Sequence, residues 1–279
     1  MTNTLPLISQ RLFNTPLAIS ETKLEIILSA LGGRFGVMPS FDAKVATILR
    51  DEDKAGYSVE HGVAIIPVSG TLVHKNGYVA PMSGATGYDG IRHNFSEALR
   101  DTKVRAICFD VDSPGGEVSG CFDLVHMIYA ARGEKPMMSI LSEMACSAAY
   151  AIASAADIIT VPSTGVSGSV GVVACHADYS QKLADEGVKV TLVHYGANKV
   201  DGNEAFPLSD SAYKKLQADV NTMGDAFVRL VARNRGMSVK AVRDTQAGIF
   251  LGKAGVEIGF ADEVLAPEHA FEALVDSIS

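Results

Sequence analysis

The sequence predicts an α/β protein whose parallel sheet is covered by helices. Strongly apolar runs typical of buried strands, such as VAIIPVSGTLV (residues 63–73) and VRAICFDVD (residues 104–112), alternate with helical segments. Near-continuous apolar strands separated by helices are typical of a parallel sheet with both faces covered. Hydrophobic residues make up 47% of the 279 residues and charged residues 20%, which supplies enough apolar material for a packed core.

The remaining elements follow in the same alternating order. Further strands are predicted at PMMSILSE, IITV, VGVVA and VKVTLVHYG, with Gly- and Ser-containing turns between them. Helices are predicted at residues 91–100, 118–131, 147–157, 179–186 and 209–235, and a short one from Ser238. Ser209 stands where an N-cap is expected, directly before the longest of these helices.

The N-terminal part differs from the rest, and we predict two units: a helical extension with a linker (residues 1–58) and a main domain (residues 59–279). In ETKLEIILSAL the apolar side chains recur at i, i+3, i+4 and i+7, the spacing of one helical face: Leu24, Ile27, Leu28 and Leu31. This face docks either on the main domain or on a partner. The polar segment DEDKAGYSVEHG follows as the linker.

Charge argues against nucleic acid as a partner. Lys and Arg total 24 against 32 Asp and Glu, a formal net charge of −8 at pH 7 with His neutral. A nucleic-acid binder needs a basic stripe to neutralise phosphates, and the sequence has none.

We expect a cytoplasmic protein without a membrane span. The most apolar stretch, residues 137–161, carries Glu143 and Asp157, whereas a span needs about 18–20 consecutive apolar residues. The opening MTNTLPLISQRLF lacks the pattern of a secretory signal. The cysteines lie far apart without C-x-x-C spacing and predict reduced thiols, not a disulfide frame or a zinc site: Cys108, Cys121, Cys146 and Cys175.

Two loops after predicted strands are candidates for chemistry, because ligands of open α/β sheets gather at the carboxyl ends of strands. The first is DSPGG, which ends at Gly116. Its paired glycines allow backbone N–H groups to converge and stabilise developing negative charge. The alternative is an ordinary strand-to-helix turn.

The second loop is MACSAAY, where a strand gives way to a helix rich in small residues. Ser147 stands at the helix start, where a nucleophile would benefit from the helix N-terminus. The alternative role for this serine is a helix N-cap. Cys146 is a rival nucleophile, but its side chain is expected to point away from that of Ser147.

A serine nucleophile needs a base, and none of the seven histidines falls in a recognisable Ser/His/Asp pattern. A lysine can serve where burial lowers its pKa. Lys199, in YGANKVDG after the predicted strand at residues 188–195, is flanked by uncharged, turn-forming residues. The alternative is an ordinary solvated lysine.

Together these motifs resemble the signal peptide peptidase A family of serine peptidases. DSPGG is followed about thirty residues later by ACSAAYAIASAAD, then by GVSGSVGV, by Lys199 and by GIFLGKAGVEIGFADEV. The resemblance covers about residues 63–264. The N-terminal NTPLAISETKLEIILSALGGRF resembles a narrower branch, the phage head-maturation proteases of the lambda capsid protein C type.

The resemblance implies a Clp protease/crotonase-type fold, assembled into oligomers, and a Ser/Lys dyad. By motif position Ser147 is the nucleophile and Lys199 the general base. Ser169 resembles the hydroxyl that orients the lysine, and Gly116 with the amide of Ala148 would form the oxyanion hole. One departure is that the family often has Ser-Gly-Gly, whereas Ser147 is followed by two alanines.

The function expected from the sequence is that of a serine endopeptidase, without metal or cofactor, acting in the host cytoplasm or procapsid interior. Expected substrates are phage scaffold or portal proteins, or the protease itself, and the expected assembly is a homo-oligomer larger than a dimer. The chain ends about fifteen residues after the closing motif, so we expect a scaffold domain to be encoded separately or removed. Alternatives are a host-type signal peptide peptidase, a crotonase-like acyl-CoA enzyme and a non-catalytic assembly factor.

Overall fold

A computed structural model describes residues 15–20, 23–24, 56–75 and 85–279 of the chain. Within these residues ten strands form one sheet: β1 Leu17–Ile19, β2 Ser58–Glu60, β3 Val63–Val73, β4 Ala85–Gly87, β5 Ala106–Glu117, β6 Met137–Cys146, β7 Ile158–Val161, β8 Val166–Gly168, β9 Ile249–Leu251 and β10 Glu263–Val264. The helices of the same residues are α1 Tyr88–Arg100, α2 Cys121–Ala130, α3 Ala148–Ala153, α4 Ser180–Asp185, α5 Asp210–Arg235, α6 Val239–Asp244, α7 Lys253–Glu257 and α8 Pro267–Asp276, with a 3₁₀ turn at Ala197–Val200.

The centre of the sheet is parallel, which confirms the predicted α/β class. Strands β3, β5, β6, β7 and β10 lie side by side in the order β3-β5-β6-β7-β10, and all four neighbouring pairs are parallel. The larger apolar cluster packs α1, α2, α3 and α5 on the sheet. A smaller cluster joins Ala270 and Leu274 of α8 to side chains of β3, β5 and β6, including Val63, Cys108 and Ile140. The central strands are mostly apolar because helices cover both faces.

The DSPGG segment is not the predicted turn into a helix. Strand β5 continues through it to Glu117, because β1 pairs with this stretch on one side and β3 on the other. The helix then begins at Cys121 and not at residue 118, after Gly120 with a left-handed φ of 82°. The prediction of a strand-to-helix turn at this motif was therefore wrong.

Two predicted strands are not formed. VGVVA contributes only an isolated bridge between Val173 and Leu17, and residues 188–195 have no strand pairing in the described chain. Val193 and Tyr195 are 96% and 99% exposed. Strand preference of β-branched residues takes effect only when a neighbouring strand and a packing surface are present.

The long helix α5 has the predicted N-cap, since the Ser209 side chain accepts a hydrogen bond from the Ala212 N–H at 3.2 Å. Only its second half packs against the body of the protein, where Phe227 and Val231 are fully buried. The first half is mostly exposed. Helix α5 therefore extends beyond the body together with the segment that precedes it.

The predicted N-terminal amphipathic face lies outside the described residues, apart from Leu24. The three residues of β1 are described, and they belong to the sheet. The division into residues 1–58 and 59–279 stays a prediction. None of the helices that the structure describes combines the length and the apolar character needed to cross a membrane.

Candidate active site

Ser147 lies at the junction between β6 and α3 in an unusual backbone conformation. Its φ is 57° and its ψ −119°, a region that non-glycine residues avoid because of steric strain. Its hydroxyl makes no capping hydrogen bond to the helix. It donates instead to the Gly171 carbonyl oxygen at 3.4 Å. The alternative of a side-chain N-cap is therefore wrong for Ser147 in this structure.

The backbone around Ser147 is fixed from several directions. The Ser147 N–H donates to the Gly168 carbonyl at 2.8 Å, and Cys146 pairs with Gly168 between β6 and β8. All six residues of α3 are buried, which the run of alanines permits because small side chains let the helix lie deep in the core. The hydroxyl of Tyr150 on this helix donates to the Phe260 carbonyl at 2.9 Å. These hydrogen bonds and the buried helix thus hold Ser147 in its strained conformation.

Arg132 is a residue of this region that sequence reasoning missed. Its guanidinium donates to the carbonyls of Ser154 and Ala155 at 3.0 and 2.9 Å, and to those of Ala156 and Asn234. The first three of these carbonyls follow the end of α3, where a helix leaves acceptors without partners, and the fourth belongs to α5. No local sequence signal identifies such a contact, since Arg132 stands 22 to 24 residues before three of its acceptors and 102 residues before Asn234.

Gly115 of the DSPGG motif faces Ser147. Ser113 pairs with Ala145 between β5 and β6, and a methyl carbon placed on Gly115 would lie 3.0 Å from Ser147 Cβ. The Gly115 N–H donates to Ser113 Oγ at 3.2 Å. The N–H of Ala148 belongs to the first turn of α3, whose N–H groups have no partner within the helix. The structure therefore brings the DSPGG and ACSAAY motifs together.

Ser169 lies on the same side of the nucleophile as Gly168 and Gly171. It is 9% exposed and, like Ser147, has a positive φ, 56°. Its N–H donates to the Gly248 carbonyl at 2.8 Å, and its carbonyl accepts from the Gly171 N–H at 2.9 Å. The turn that carries Ser169 thus also supplies the acceptor of the Ser147 hydroxyl.

Cys146 does not compete as a nucleophile. Burial raises the pKa of its thiol to about 12, and the side chain is fully buried. A thiol attacks as the thiolate, so Cys146 is unreactive at neutral pH.

Lys199 is not joined to Ser147 in this structure. It lies exposed in the 3₁₀ turn Ala197–Val200. Among the described residues no hydrogen bond links Lys199 to Ser147 or Ser169, and no histidine side chain is hydrogen-bonded to Ser147. The same part of the chain contains no cluster of three or more His, Cys, Asp or Glu side chains that could hold a metal ion.

Strand β1 was also missed as a neighbour of the site. It lies beside residues 115–117, next to Ser147, with Ala18 fully buried. The apolar run LAI in NTPLAIS was its sequence signal. We interpreted the whole N-terminal part as an extension because Pro6 and Pro16 interrupt it and a helical pattern follows.

A strained serine beside paired glycines, on a parallel α/β sheet, is the arrangement of a serine-type hydrolase. The model of Peptidase family S49 matches residues 130–277, and the chain belongs to this family.

Relatives place it in the phage branch. The chain is 37% identical over 282 residues to the head-tail preconnector protein GP5 of Enterobacteria phage P21, covering 96% of this chain and 56% of that protein. It is 34% identical over 290 residues to the capsid assembly protease C of Escherichia phage lambda, covering 98% and 66% respectively.

The predicted family is confirmed, and the chain spans roughly half to two thirds of the length of these two relatives. A solved enoyl-CoA hydratase from Shewanella pealeana has a TM-score of 0.45 and 11% identity, covering 80% of this chain and 72% of that chain.

Proposed function

We propose that this chain is a serine endopeptidase that cleaves phage assembly proteins during capsid maturation, in the host cytoplasm or inside the procapsid. The observation that carries the proposal is Ser147: a strained, uncapped serine opposite Gly115. The phage relatives support phage assembly proteins as the substrate class, and within that class we propose scaffold, portal or the protease itself. Neither a metal nor a cofactor takes part in the proposed reaction.

The proposed reaction proceeds through an acyl-enzyme. The Ser147 oxygen attacks the scissile carbonyl carbon while Lys199 accepts the hydroxyl proton, and the N–H groups of Gly116 and Ala148 stabilise the oxyanion. The C–N bond then breaks, and Lys199 delivers the proton to the leaving amine. Water attacks the acyl-enzyme, loses a proton to Lys199, and releases the acid and the free serine.

Lys199 must come to Ser147 for this chemistry, and the geometry favours a second copy of the chain as its source. Lys199 lies on an exposed segment that also exposes large apolar side chains, with Val193 at 96% and Tyr195 at 99%. Apolar side chains grouped on an exposed segment are typical of a protein contact. Contact with a neighbour would also remove water from the Lys199 amine, and desolvation favours the neutral form that a base requires.

Cleavage of co-expressed scaffold and portal proteins tests the proposal. Ser147→Ala and Lys199→Ala are each expected to lower the rate by about a thousandfold or more. Lys199→Arg should not restore activity, because a guanidinium stays protonated near neutral pH. Lys189→Ala, an exposed lysine of the same segment, is the matched control and should cleave normally. A folded Ser147→Ala protein that still cleaves would remove Ser147 from the mechanism.

A further inference from the structure

Residues 15–20 lie as an extended strand in a groove beside Ser147. On one side β1 pairs antiparallel with residues 115–117 of β5. On the other side the Leu17 N–H donates to the Val173 carbonyl at 2.8 Å, and the Val173 N–H donates to the Leu17 carbonyl at 2.9 Å. The segment thus lies between the end of β5 and the turn that contains Val173, which both lie beside Ser147.

The register directs one carbonyl of this segment to the predicted oxyanion donor. Ala18 stands opposite Gly116. Two residues further along, the Ser20 N–H donates to the Pro114 carbonyl at 2.8 Å. Hydrogen-bonded and non-bonded pairs alternate along an antiparallel ladder, so Ala18 and Gly116 form a bonded pair. The Gly116 N–H therefore points at the Ala18 carbonyl.

The same carbonyl lies close to the nucleophile. A methyl carbon placed on Gly115 would lie 2.2 Å from the Ala18 carbonyl oxygen and 3.0 Å from Ser147 Cβ. Both groups therefore converge on one small space, which glycine leaves open. A substrate carbonyl would need this position for attack by Ser147 and for stabilisation by the Gly116 N–H.

The segment also closes the site. Ser147 and Ala18 have no exposed surface, and Leu17 and Ile19 are 5% and 6% exposed. No peptide can reach Ser147 while residues 15–20 occupy this groove.

We propose that residues 15–20 are a pseudosubstrate strand in the peptide-binding groove, and that substrates are extended segments with an apolar–small–apolar pattern that displace it. This inference rests on the proposed function and deepens it. The backbone hydrogen bonds at both edges accept any extended chain, so the buried side chains at the positions of Leu17, Ala18 and Ile19 set the preference.

Displacement is a competition between one strand tethered to the protein and another in solution. A tethered strand has an effective concentration of about millimolar or more, so a substrate present at micromolar concentration binds only when the local opening of residues 15–20 is favourable. The proposal therefore predicts that weakening this strand exposes the groove and speeds cleavage.

Hydrogen exchange on the full chain tests this inference with Ala18→Glu. A glutamate does not fit the fully buried position, so the strand should leave the groove, because burying an unpaired charge is costly. The amides of Leu17, Ser20 and Val173 are expected to exchange about tenfold faster or more, while the core amide of Leu141 keeps its protection. A synthetic peptide TPLAIS should restore protection at Val173. Cleavage of a peptide substrate should rise about fivefold or more.

Two further variants control for general destabilisation. Ala270→Glu places the same charge at a fully buried alanine of α8, in the cluster on the other side of the sheet. This variant should not raise the exchange rate of the Val173 amide while the Leu141 amide keeps its protection. Ile19→Ala weakens the strand without a new charge and should change exchange in the same direction as Ala18→Glu, to a smaller extent. If Leu141 loses protection together with Val173 in both strand variants, residues 15–20 are an integral part of the fold and the proposal is wrong.

The outcomes separate this inference from the proposed function. If the strand variants cleave at the wild-type rate in a Ser147-dependent reaction, and residues 15–20 stay protected from hydrogen exchange during turnover, the pseudosubstrate proposal is wrong. The proposed peptidase activity would then still stand. A groove that opens and binds TPLAIS while no protein or peptide is cleaved would support the groove assignment and contradict the peptidase.

Discussion

At the scale of single residues, the geometry of Ser147 depends on its backbone more than on its side chain. A positive φ at a non-glycine residue costs on the order of 1–3 kcal/mol. The Ser147 N–H bond to Gly168 and the burial of α3 hold this conformation. The hydroxyl, free of a capping role, is available for chemistry. Loss of that hydroxyl should therefore cost little stability.

Cys146→Ala should keep peptidase activity within about threefold of the wild type, because the Cys146 thiol has no role as a nucleophile. Burial raises the pKa of this thiol to about 12, so it stays protonated at neutral pH. Initial rates of cleavage by Cys146→Ala and Ser147→Ala, measured side by side at pH 7.5, provide the check. An inactive but folded Cys146→Ala protein would assign the nucleophile to the cysteine.

The sequence can bring together residues whose position follows from short motifs, while their catalytic roles stay predictions. Ser147 and Gly116 stand in short motifs that join strands of one sheet, so local pattern and strand order suffice to bring them together. Lys199 is different, because its turn is surrounded by solvent in the single chain. A motif can identify such a lysine as a candidate, but it does not show which surface the lysine contacts.

At the scale of elements, α3 is held at both ends. Its first residue follows the strained Ser147, and the carbonyls of the residues directly after its last turn, Ser154 and Ala155, accept hydrogen bonds from Arg132. Arg132 also stacks over the Tyr129 ring, with its guanidinium carbon 4.5 Å from the ring centroid. Ser147 is thereby connected to α2 through the length of one short helix.

Arg132→Gln should lower the free energy of unfolding by about 2–3 kcal/mol, because several carbonyls beyond α3 lose their donor in a partly buried site. Arg243→Gln is the matched control. Its guanidinium contacts Asp225 at the surface, and an exposed ion pair contributes about 0.5 kcal/mol or less. Urea unfolding of both variants measures the difference, and equal effects would contradict the role given to Arg132.

The elements that sequence analysis missed depend on partners distant in the chain. Strand β5 runs through SPGG because β1, about a hundred residues earlier, supplies hydrogen bonds on its free side. Residues 188–195 have strand-forming side chains but no neighbouring strand in the described chain. Local preference predicts neither outcome, since pairing decides whether an extended segment becomes a strand.

At the scale of the whole molecule, the buried thiols should lower the free energy of unfolding at alkaline pH. Burial raises the pKa of Cys108, Cys121 and Cys146 from 9.0 to about 12. Above pH 9 the unfolded chain loses these protons while the folded chain keeps them, so the free energy of unfolding should fall as pH rises toward 12.

Each cysteine contributes up to about 1.4 kcal/mol per pH unit to this fall. Urea unfolding at pH 8, 9.5 and 10.5 measures the slope, and Cys108→Ala should reduce it relative to the wild type. Equal slopes for the two proteins would show that Cys108 does not contribute.

Assembly is the largest-scale prediction, and it follows from what one copy leaves exposed. Residues 188–206 and the first half of α5 project from the body, with Val193, Tyr195 and Phe206 at least 40% exposed. If each copy supplies Lys199 to the next copy, the contact joins two different surfaces, and such contacts form a ring when the rotation between neighbouring copies closes. We therefore expect light scattering to show a homo-oligomer larger than a dimer at micromolar concentration.

Mixed assemblies test whether Lys199 acts on the Ser147 of a neighbouring copy. Ser147→Ala and Lys199→Ala chains are each expected to be inactive alone. When both are co-expressed in equal amounts, a Lys199→Ala copy keeps its serine and a Ser147→Ala neighbour keeps its lysine. When the two chains mix randomly in a ring, about one site in four combines the serine of a Lys199→Ala copy with the lysine of a Ser147→Ala neighbour. About a quarter of the wild-type activity should therefore return. If the dyad forms within one chain, no mixed site contains both groups, and activity stays at the level of the separate variants although both chains co-assemble.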